Sequence, residues 1–317
     1  MTKRIGIIGH PCIDEIISRS GEMTSQALGG ILYSYAAFER AVRESGADIE
    51  FLPLTWTSSA DQEMILPFYS LLGHFKDLSK LFPTDSLTNR VRLTYTDDIN
   101  RTEHCPIILP PMTPEELSWV DLASLDGLFI NMISGFDISL ETLKWIRSQT
   151  KAYIHLDVHA LVLGELSMDE KQPRMMKGVR DWREWVTEVD SLQMNEAESD
   201  WLGASEITSE KQLLAEIRKL SNAHGSPDSV IITRSERGAT SFDFKHEKIW
   251  NKEPNKKRII NTTGSGDVFG ALYTLTKTLG TSEQEALWHA ETWAGWNTEL
   301  GSLEEILIAP LSKEITS

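Results

Sequence analysis

Short apolar runs and longer segments with helical spacing alternate along most of the chain. Apolar runs bounded by glycine or polar residues predict buried strands at 5–9, 49–56, 125–132, 152–156, 191–194 and 229–233. Apolar residues at helical spacing predict helices at 31–45, 61–72, 139–148, 179–189, 196–202, 209–220, 265–279 and 282–300. This alternation predicts an α/β fold with a mostly parallel central sheet and helices on both faces.

One region departs from this pattern and predicts a small β lid. Residues 90–96 alternate strictly, with Val91, Leu93 and Tyr95 on one face, which is typical of a half-exposed strand. A polar turn at 97–100 and the stretch 103–109 predict the returning strand of a hairpin. We therefore predict a single domain, 1–317, whose lid consists of about 12–28 and 84–110. The alternating face is a candidate for covering a substrate or for pairing in a homodimer.

Net charge and cysteine content exclude some classes of partner and favour one cellular compartment. The chain has 317 residues, 40% of them hydrophobic, and a net charge of -16. An acidic surface repels nucleic acids and anionic membranes, so neither is an expected partner. The two cysteines, Cys12 and Cys105, form neither a disulfide framework nor a zinc site, which favours the cytoplasm. The apolar start of the chain is too short for a signal peptide, and no apolar run is long enough to span a membrane.

The stretch from Asn261 to Asp267, with sequence Asn-Thr-Thr-Gly-Ser-Gly-Asp, is the main candidate for chemistry. Two glycines stand where a helix is predicted to begin, and the first N–H groups of a helix have no internal partner. A phosphate can approach them closely, and Asp267 lies beside them. This combination favours phosphoryl transfer, with Asp267 taking a proton from the attacking hydroxyl. The same letters are also ordinary helix-cap sequence. The glycine spacing is one residue too long for a dinucleotide fingerprint.

Further motifs occur along the chain in a fixed order. A glycine pair at 29–30 precedes a helix, Asn195 and Glu198 open another helix, and a strand and turn cover 230–239. With the stretch 261–267, this order resembles the ribokinase-like (PfkB) carbohydrate kinases from Ile5 to about Gly301. The resemblance implies a kinase that uses ATP and Mg²⁺ to phosphorylate a hydroxyl of a sugar or sugar-like alcohol.

The resemblance also implies roles for individual residues. Asp267 matches the catalytic base, and the anion hole around the transferred phosphate matches Gly264, Ser265 and Gly266. The positions on the ATP side match Asn195, Thr233 and Gly238, together with Gly264 and Gly266. Glu198 matches the residue that positions Mg²⁺, largely through water. The substrate side matches Asp14, Gly29, Gly30 and Ser34.

Several positions depart from the family pattern. Asn261 replaces the signature's first aspartate, so dependence on a monovalent cation is left open. Ser265 replaces an alanine, Ser34 an asparagine and Ser235 a glycine, and residues 157–159 match the family's acidic strand end only loosely. Two alternatives therefore stand beside the sugar kinase: a nucleoside kinase of the same fold, and a non-catalytic member that binds a ligand.

Overall fold

The computed structural model of the protein describes residues 2–17, 22–78, 81–95, 101–164, 174–254 and 259–316. Its strands are β1 (Lys3–Ile8), β2 (Pro11–Ile17), β3 (Met23–Gly30), β4 (Ile49–Leu54), β5 (Trp56–Ser58), β6 (Phe82–Thr84), β7 (Asn89–Tyr95), β8 (Arg101–Ile107), β9 (Gly127–Asn131), β10 (Tyr153–Asp157), β11 (Ser191–Asn195), β12 (Ser229–Thr233), β13 (Ala239–Asp243) and β14 (Lys248–Lys252). Its helices are α1 (Ile31–Ser45), α2 (Gln62–Tyr69), α3 (Pro114–Leu117), α4 (Leu140–Gln149), α5 (Trp182–Thr187), α6 (Glu196–Leu202), α7 (Glu210–His224), α8 (Ser265–Thr278), α9 (Glu283–Asn297), α10 (Leu303–Ile308) and α11 (Lys313–Thr316).

An eight-stranded sheet forms the centre, in the order β14-β13-β12-β11-β10-β9-β1-β4. The strands from β4 to β12 in this order are parallel, and β13 is antiparallel to both of its neighbours. The predicted α/β class with a mostly parallel sheet is confirmed. The chain order reverses between β1 and β9, and open α/β sheets bind their ligands at such a point, beyond the carboxyl ends of the strands.

Helices cover both faces of this sheet because side chains of a strand alternate between faces. In β9, Leu128 and Ile130 join a core with α4, α5 and α7, whereas Phe129 faces the opposite core, which contains α1, α8 and α9. All three side chains are fully buried. Helix α8 thus lies directly over the middle strands, and its first turn lies at their carboxyl ends.

The strands β3, β2, β7 and β8 form a separate four-stranded sheet, which we call the lid sheet. The hairpin predicted around 90–109 is present as β7 and β8, although the predicted turn at 97–100 is outside the described residues. The parallel pairing of β2 with β7 was not predicted. Buried Arg90 on β7 bonds Asp61 at 2.6 Å and so links the lid sheet to the main body.

Four predicted helices have boundaries that differ by more than one residue in the structure, and one of them, α7, continues past the predicted end at 220 to His224. The helix predicted at 179–189 begins only at Trp182, because Asp181 has a left-handed backbone with φ 56°. The helix predicted at 61–72 covers only Gln62–Tyr69, after a short 3₁₀ turn. The long helix predicted at 282–300 ends at Asn297, and α10 follows as a separate helix. In the described part of the chain, no helix has the length and apolarity needed to cross a bilayer.

Candidate active site

The first turn of α8 carries the residues predicted for the chemistry. Gly264 is the N-cap, with φ 77°, and its position leaves no room for a side chain: a Cβ there would lie 2.1 Å from Tyr33 Cδ1. The Ser265 N–H donates to Thr262 O at 3.3 Å. The Gly266 N–H lies in the first turn of α8, where backbone N–H groups have no hydrogen-bond acceptor within the helix. The structure therefore places a helix N-terminus with positive partial charge beside the Asp267 carboxyl group.

Asp267 is buried and held by two side chains from distant parts of the sequence. Asn131, at the carboxyl end of β9, donates from Nδ2 to Asp267 Oδ1 at 2.7 Å. Ser34 on α1 donates its hydroxyl to the backbone oxygen of Asp267 at 3.1 Å. Burial raises the pKa of Asp267, while the charge of His159 and the hydrogen bond from Asn131 act in the opposite direction. The carboxyl group is thus oriented by Asn131 and has a stronger affinity for a proton than an exposed aspartate.

Asn195 and Glu198 form a helix cap at the start of α6. Asn195 Oδ1 accepts from the Glu198 N–H at 2.8 Å, and Glu198 accepts from the backbone and side-chain nitrogens of Asn195, both at 2.7 Å. This reciprocal arrangement is a capping box, in which the two side chains satisfy N–H groups at the start of α6. Burial raises the pKa of Glu198 to about 7, against the opposing charge of His159 and the backbone hydrogen bond from Asn195. A buried carboxylate with this raised pKa is also a natural neighbour for a bound cation.

A third acid, Asp157, lies at the end of β10 next to these two. Burial raises its pKa well above the usual value, and the nearby charge of Glu198 raises it further. His159, two residues later, lowers the pKa of Asp157, Glu198 and Asp267 and has a left-handed backbone with φ 38°. Non-glycine residues in this conformation cluster at functional sites. Three carboxyl groups and one imidazole therefore share the carboxyl edge of the sheet.

Magnesium fits this group of acids only through water. Among the described residues, no three His, Cys, Asp or Glu side chains are arranged to hold a metal ion directly. Oxygen donors and retained water suit Mg²⁺. Burial raises the pKa of both Asp157 and Glu198, and a bound cation would favour their charged forms. The donor set therefore suits a hydrated magnesium ion.

The predicted substrate side lies where the lid sheet meets α1. Asp14 on β2 pairs with β3, and a Cβ on Gly29 would lie 2.7 Å from Asp14 Oδ2. Gly30 has φ 63°, and a Cβ there would lie 2.7 Å from His10 O. Both glycines thus let the chain pass close to β2 and bring Asp14 against the start of α1. The predicted contact Ser34 is buried, with its hydroxyl on the Asp267 backbone.

A cavity of about 380 Å³ extends from Asp14 toward the motif. Its lining includes Tyr33 on α1, Leu93 on β7 and the motif residues Asn261 and Thr263. Small-molecule sites commonly have volumes of roughly 300–1,000 Å³, with apolar walls and a few polar groups. The cavity therefore connects the lid sheet with the loop that carries Gly264.

The predicted donor side lies at the ends of β11 and β12. Thr233 is paired with Asn195 across these strands. The following turn is held by Arg234, which binds Glu210 at 2.7 Å and Glu196 at 2.8 Å. Gly238 has φ 80°, and a Cβ there would lie 1.9 Å from Lys252 O. This position therefore requires glycine because the turn is pressed against the end of β14.

Two departures from the family pattern, Ser235 and Asn261, differ in their local structure. Ser235 adopts φ 49°, a conformation that glycine adopts at lower cost. Asn261 Oδ1 accepts from the Thr263 N–H at 2.9 Å and closes a turn within the motif. Asn297 Nδ2 holds the same loop through Thr263 O at 3.0 Å and Ser265 Oγ at 3.1 Å. The loop is thus ordered by protein contacts at the position where the signature has its first aspartate.

Sequence reasoning missed several residues of this site. Asn131, Gln193 and His159 belong to no motif with a fixed spacing, and residues 157–159 matched the family only loosely. One signal was available: Asn131, Asp157, Asn195 and Thr233 are the last residues of four adjacent parallel strands. Polar residues at such ends meet at one edge of the sheet.

Comparison with known proteins agrees with this architecture. Residues 168–304 match the model of the pfkB family carbohydrate kinases. A search of curated proteins finds no match. Ribokinase from Giardia lamblia has a TM-score of 0.72 at 15% identity, over 100% of this chain and 99% of that chain. Arabidopsis thaliana ribokinase, solved with ribose and ATP, has a TM-score of 0.68 at 14% identity, over 98% of this chain and 100% of that one.

A further neighbour uses another phosphoryl donor. A pyrophosphate-dependent kinase of the ribokinase family, solved with a pyrophosphate analogue and myo-inositol, has a TM-score of 0.71 at 15% identity. The match covers 98% of this chain and 100% of that chain. The resemblance drawn from the motifs is confirmed: the chain has the ribokinase fold and matches the pfkB family of carbohydrate kinases over residues 168–304.

Proposed function

We propose that this protein is a kinase that transfers the γ-phosphate of ATP to a hydroxyl of a sugar or sugar-like alcohol. The observation that carries the proposal is the buried carboxyl group of Asp267, which lies in the first turn of α8. A hydrogen bond from Asn131, at the end of β9, orients this carboxyl group. A general base must lie beside the place where the transferred group binds, and a helix N-terminus is a natural site for that phosphate.

One group of residues binds the acceptor and another binds the phosphoryl donor, with Asp267 between them. On the acceptor side, Asp14 accepts hydrogen bonds from acceptor hydroxyls, and the cavity beneath the lid sheet holds the acceptor. Asp267 accepts the proton of the attacking hydroxyl as the new oxygen–phosphorus bond forms. The bond between the γ-phosphorus and the β–γ bridging oxygen of ATP breaks in the same transfer, and ADP leaves. The first-turn N–H groups around Gly266 stabilise the negative charge on the transferred phosphoryl group.

On the donor side, Asn195 and Glu198 position the ATP phosphates, and Thr233 and Gly238 line the nucleotide. Glu198 and Asp157 would hold hydrated Mg²⁺. When bound, this ion neutralises charge on the phosphates. Closure of the lid sheet excludes water, which would otherwise accept the phosphoryl group in place of the sugar.

A donor and acceptor screen tests the proposal. ATP or pyrophosphate is supplied with Mg²⁺ and a panel of sugars, polyols including myo-inositol, and nucleosides. Nucleosides belong in the panel because a cavity of about 380 Å³ leaves room for an acceptor larger than a monosaccharide. Release of ADP that depends on an acceptor, with formation of the phosphorylated product, supports the proposal. Tight ligand binding without transfer to any acceptor contradicts it and favours the non-catalytic alternative.

A further inference from the structure

Gln193 lies beneath the first turn of α8, outside every motif that the sequence singled out. It is a residue of β11 and is 2% exposed. Its amide nitrogen lies 2.9 Å from Asp157 Oδ2 and 3.0 Å from Gly266 O. A side-chain amide has two N–H groups, so both are used to join the end of β10 to the start of α8.

The orientation of this amide is fixed from behind by a buried histidine. Gln193 Oε1 lies 3.2 Å from His155 Nε2, and His155 Nδ1 lies 2.7 Å from Ser191 Oγ. Burial lowers the pKa of His155 to about 3, so the ring is neutral near pH 7 and has a single N–H. The single N–H of His155 must be at Nε2, where it donates to Gln193 Oε1. If the Gln193 amide were turned round, its oxygen would face the carbonyl oxygen of Gly266, and neither atom could donate a hydrogen bond. The chain Ser191, His155, Gln193 therefore has one consistent direction, which ends on Asp157 and Gly266.

Helix α8 packs closely against the Gln193 amide because two of its residues on that side are glycines. A Cβ on Gly270 would lie 3.0 Å from Gln193 Oε1 and 2.7 Å from Phe129 Cζ. Gly266 faces the same side chain, since a Cβ there would lie 3.9 Å from Gln193 Nε2. Glycines at 266 and 270 form the side of the helix that lies on Gln193, and the catalytic turn is supported from below at this point.

We propose that Gln193 is a positioning residue for phosphoryl transfer. It sets the plane of the peptide between Gly266 and Asp267 and ties that peptide to Asp157. The Gly266 carbonyl belongs to the same rigid peptide unit as the Asp267 N–H, so holding the carbonyl also directs the N–H and the base attached to it. The kinetic test of this inference rests on the proposed function. The inference adds to that function a residue that acts through Gly266 and Asp267 and does not touch the substrate.

The main variant is Gln193→Met, which keeps the length of the side chain and removes both donors. A misplacement of about 1 Å in the reacting groups can cost on the order of 10²-fold in rate. We therefore expect kcat to fall by about 10- to 100-fold. The acceptor KM should change little, because Gln193 is not among the residues that line the cavity next to Asp14. Gln193→Glu is the second variant, since it keeps the shape and replaces the donating group by an oxygen.

Thr274→Val is the matched control. Thr274 is fully buried on the same helix, and its hydroxyl donates to Gly270 O at 2.7 Å, away from the motif. This variant also removes a buried hydrogen bond from α8, and it should lower the melting temperature and leave kcat unchanged. A loss of kcat shared by the control and Gln193→Met would reduce Gln193 to a general stabiliser and overturn the inference.

Hydrogen exchange decides the inference independently of turnover. Gln193→Met should speed exchange of the backbone amides at 265–268, whereas Thr274→Val should not. If the wild type phosphorylates no acceptor, the proposed function fails. The hydrogen-exchange rates at 265–268 then decide by themselves whether Gln193 positions the first turn of α8. If the wild type is active and both Gln193 variants keep kcat within twofold and wild-type exchange, the inference fails while the proposed function stands.

Discussion

The close packing of Gly264 against Tyr33 gives the sharpest test of how the loop before α8 is built. Gly264 has φ 77°, and a Cβ added to it would lie 2.1 Å from Tyr33 Cδ1, far inside van der Waals contact. Tyr33 is 6% exposed, so its ring has little room to move away. We expect Gly264→Ala to destabilise the protein for two separable reasons.

The first reason is backbone strain, and the second is the clash. A non-glycine residue in the left-handed region costs about 1–2 kcal/mol. Extra atoms in a tightly packed region cost roughly 1–3 kcal/mol more. Gly264→Ala should therefore lower the free energy of unfolding by about 2–5 kcal/mol, and kcat should fall because the first turn of α8 is displaced.

Gly46→Ala is the matched control for the strain. Gly46 has φ 65°, and a Cβ there would meet nothing within 4 Å. It should therefore show only the backbone cost of about 1–2 kcal/mol. Both free energies come from urea denaturation of the purified variants. A double-mutant cycle with Tyr33→Ala measures the contact itself, and we expect a coupling of about 1–3 kcal/mol. Equal losses in the two glycine variants, or no coupling to Tyr33, would refute this reasoning.

Three further predictions concern the base, a buried acid and the acceptor. Asn131→Leu removes a hydrogen bond that lowers the pKa of Asp267, so the acid limb of the kcat profile should move to higher pH; an unmoved limb contradicts the assigned contact. Glu291 is 8% exposed, and burial raises its pKa from 4.5 to about 7, which corresponds to about 3 kcal/mol at about 1.36 kcal/mol per unit. Because the folded state binds this proton more tightly, stability is lost as pH rises from 4.5 toward 7. Glu291→Gln should therefore stabilise the protein by about 3 kcal/mol at pH 8 and by little at pH 5, as measured by denaturation; equal effects at both pH values would disprove it. Gly29→Ala should push Asp14 aside and raise the acceptor KM with little change in kcat, and an unchanged KM argues against Asp14 as an acceptor contact.

Local patterns explain the parts of the fold that the sequence predicted. Runs such as 5–9 and 229–233 are apolar without alternation, as strands buried on both faces must be. The apolar residues at helical spacing after Gly266 predict a helix that starts at 265, and free first-turn N–H groups at that start make the glycines at 264 and 266 a candidate phosphate site. Helix boundaries differ from the prediction at several positions. The left-handed backbone at Asp181, which shortens α5, has no signature in its neighbours.

The missed parts of the site depend on contacts between distant residues. Asn131 and Asp267 are separated by 136 positions, and Gln193 and Gly266 by 73. A single amide side chain, whether it ends a strand as Asn131 does or lies within one as Gln193 does, has no spacing that distinguishes it from an ordinary buried polar residue. Only the order of the strands, β9-β10-β11, shows that these residues meet beneath α8.

The central claim is that Asp267 removes the proton of the acceptor hydroxyl. Its most direct test is the rate of phosphoryl transfer by Asp267→Asn, measured with the best acceptor from the screen at saturating ATP and Mg²⁺. Asparagine keeps the size and the contact with the first turn but cannot accept the proton. We predict that kcat falls by about 10²- to 10⁴-fold while the affinity for ATP stays unchanged. A variant that keeps wild-type kcat would contradict the assignment of Asp267 as the base.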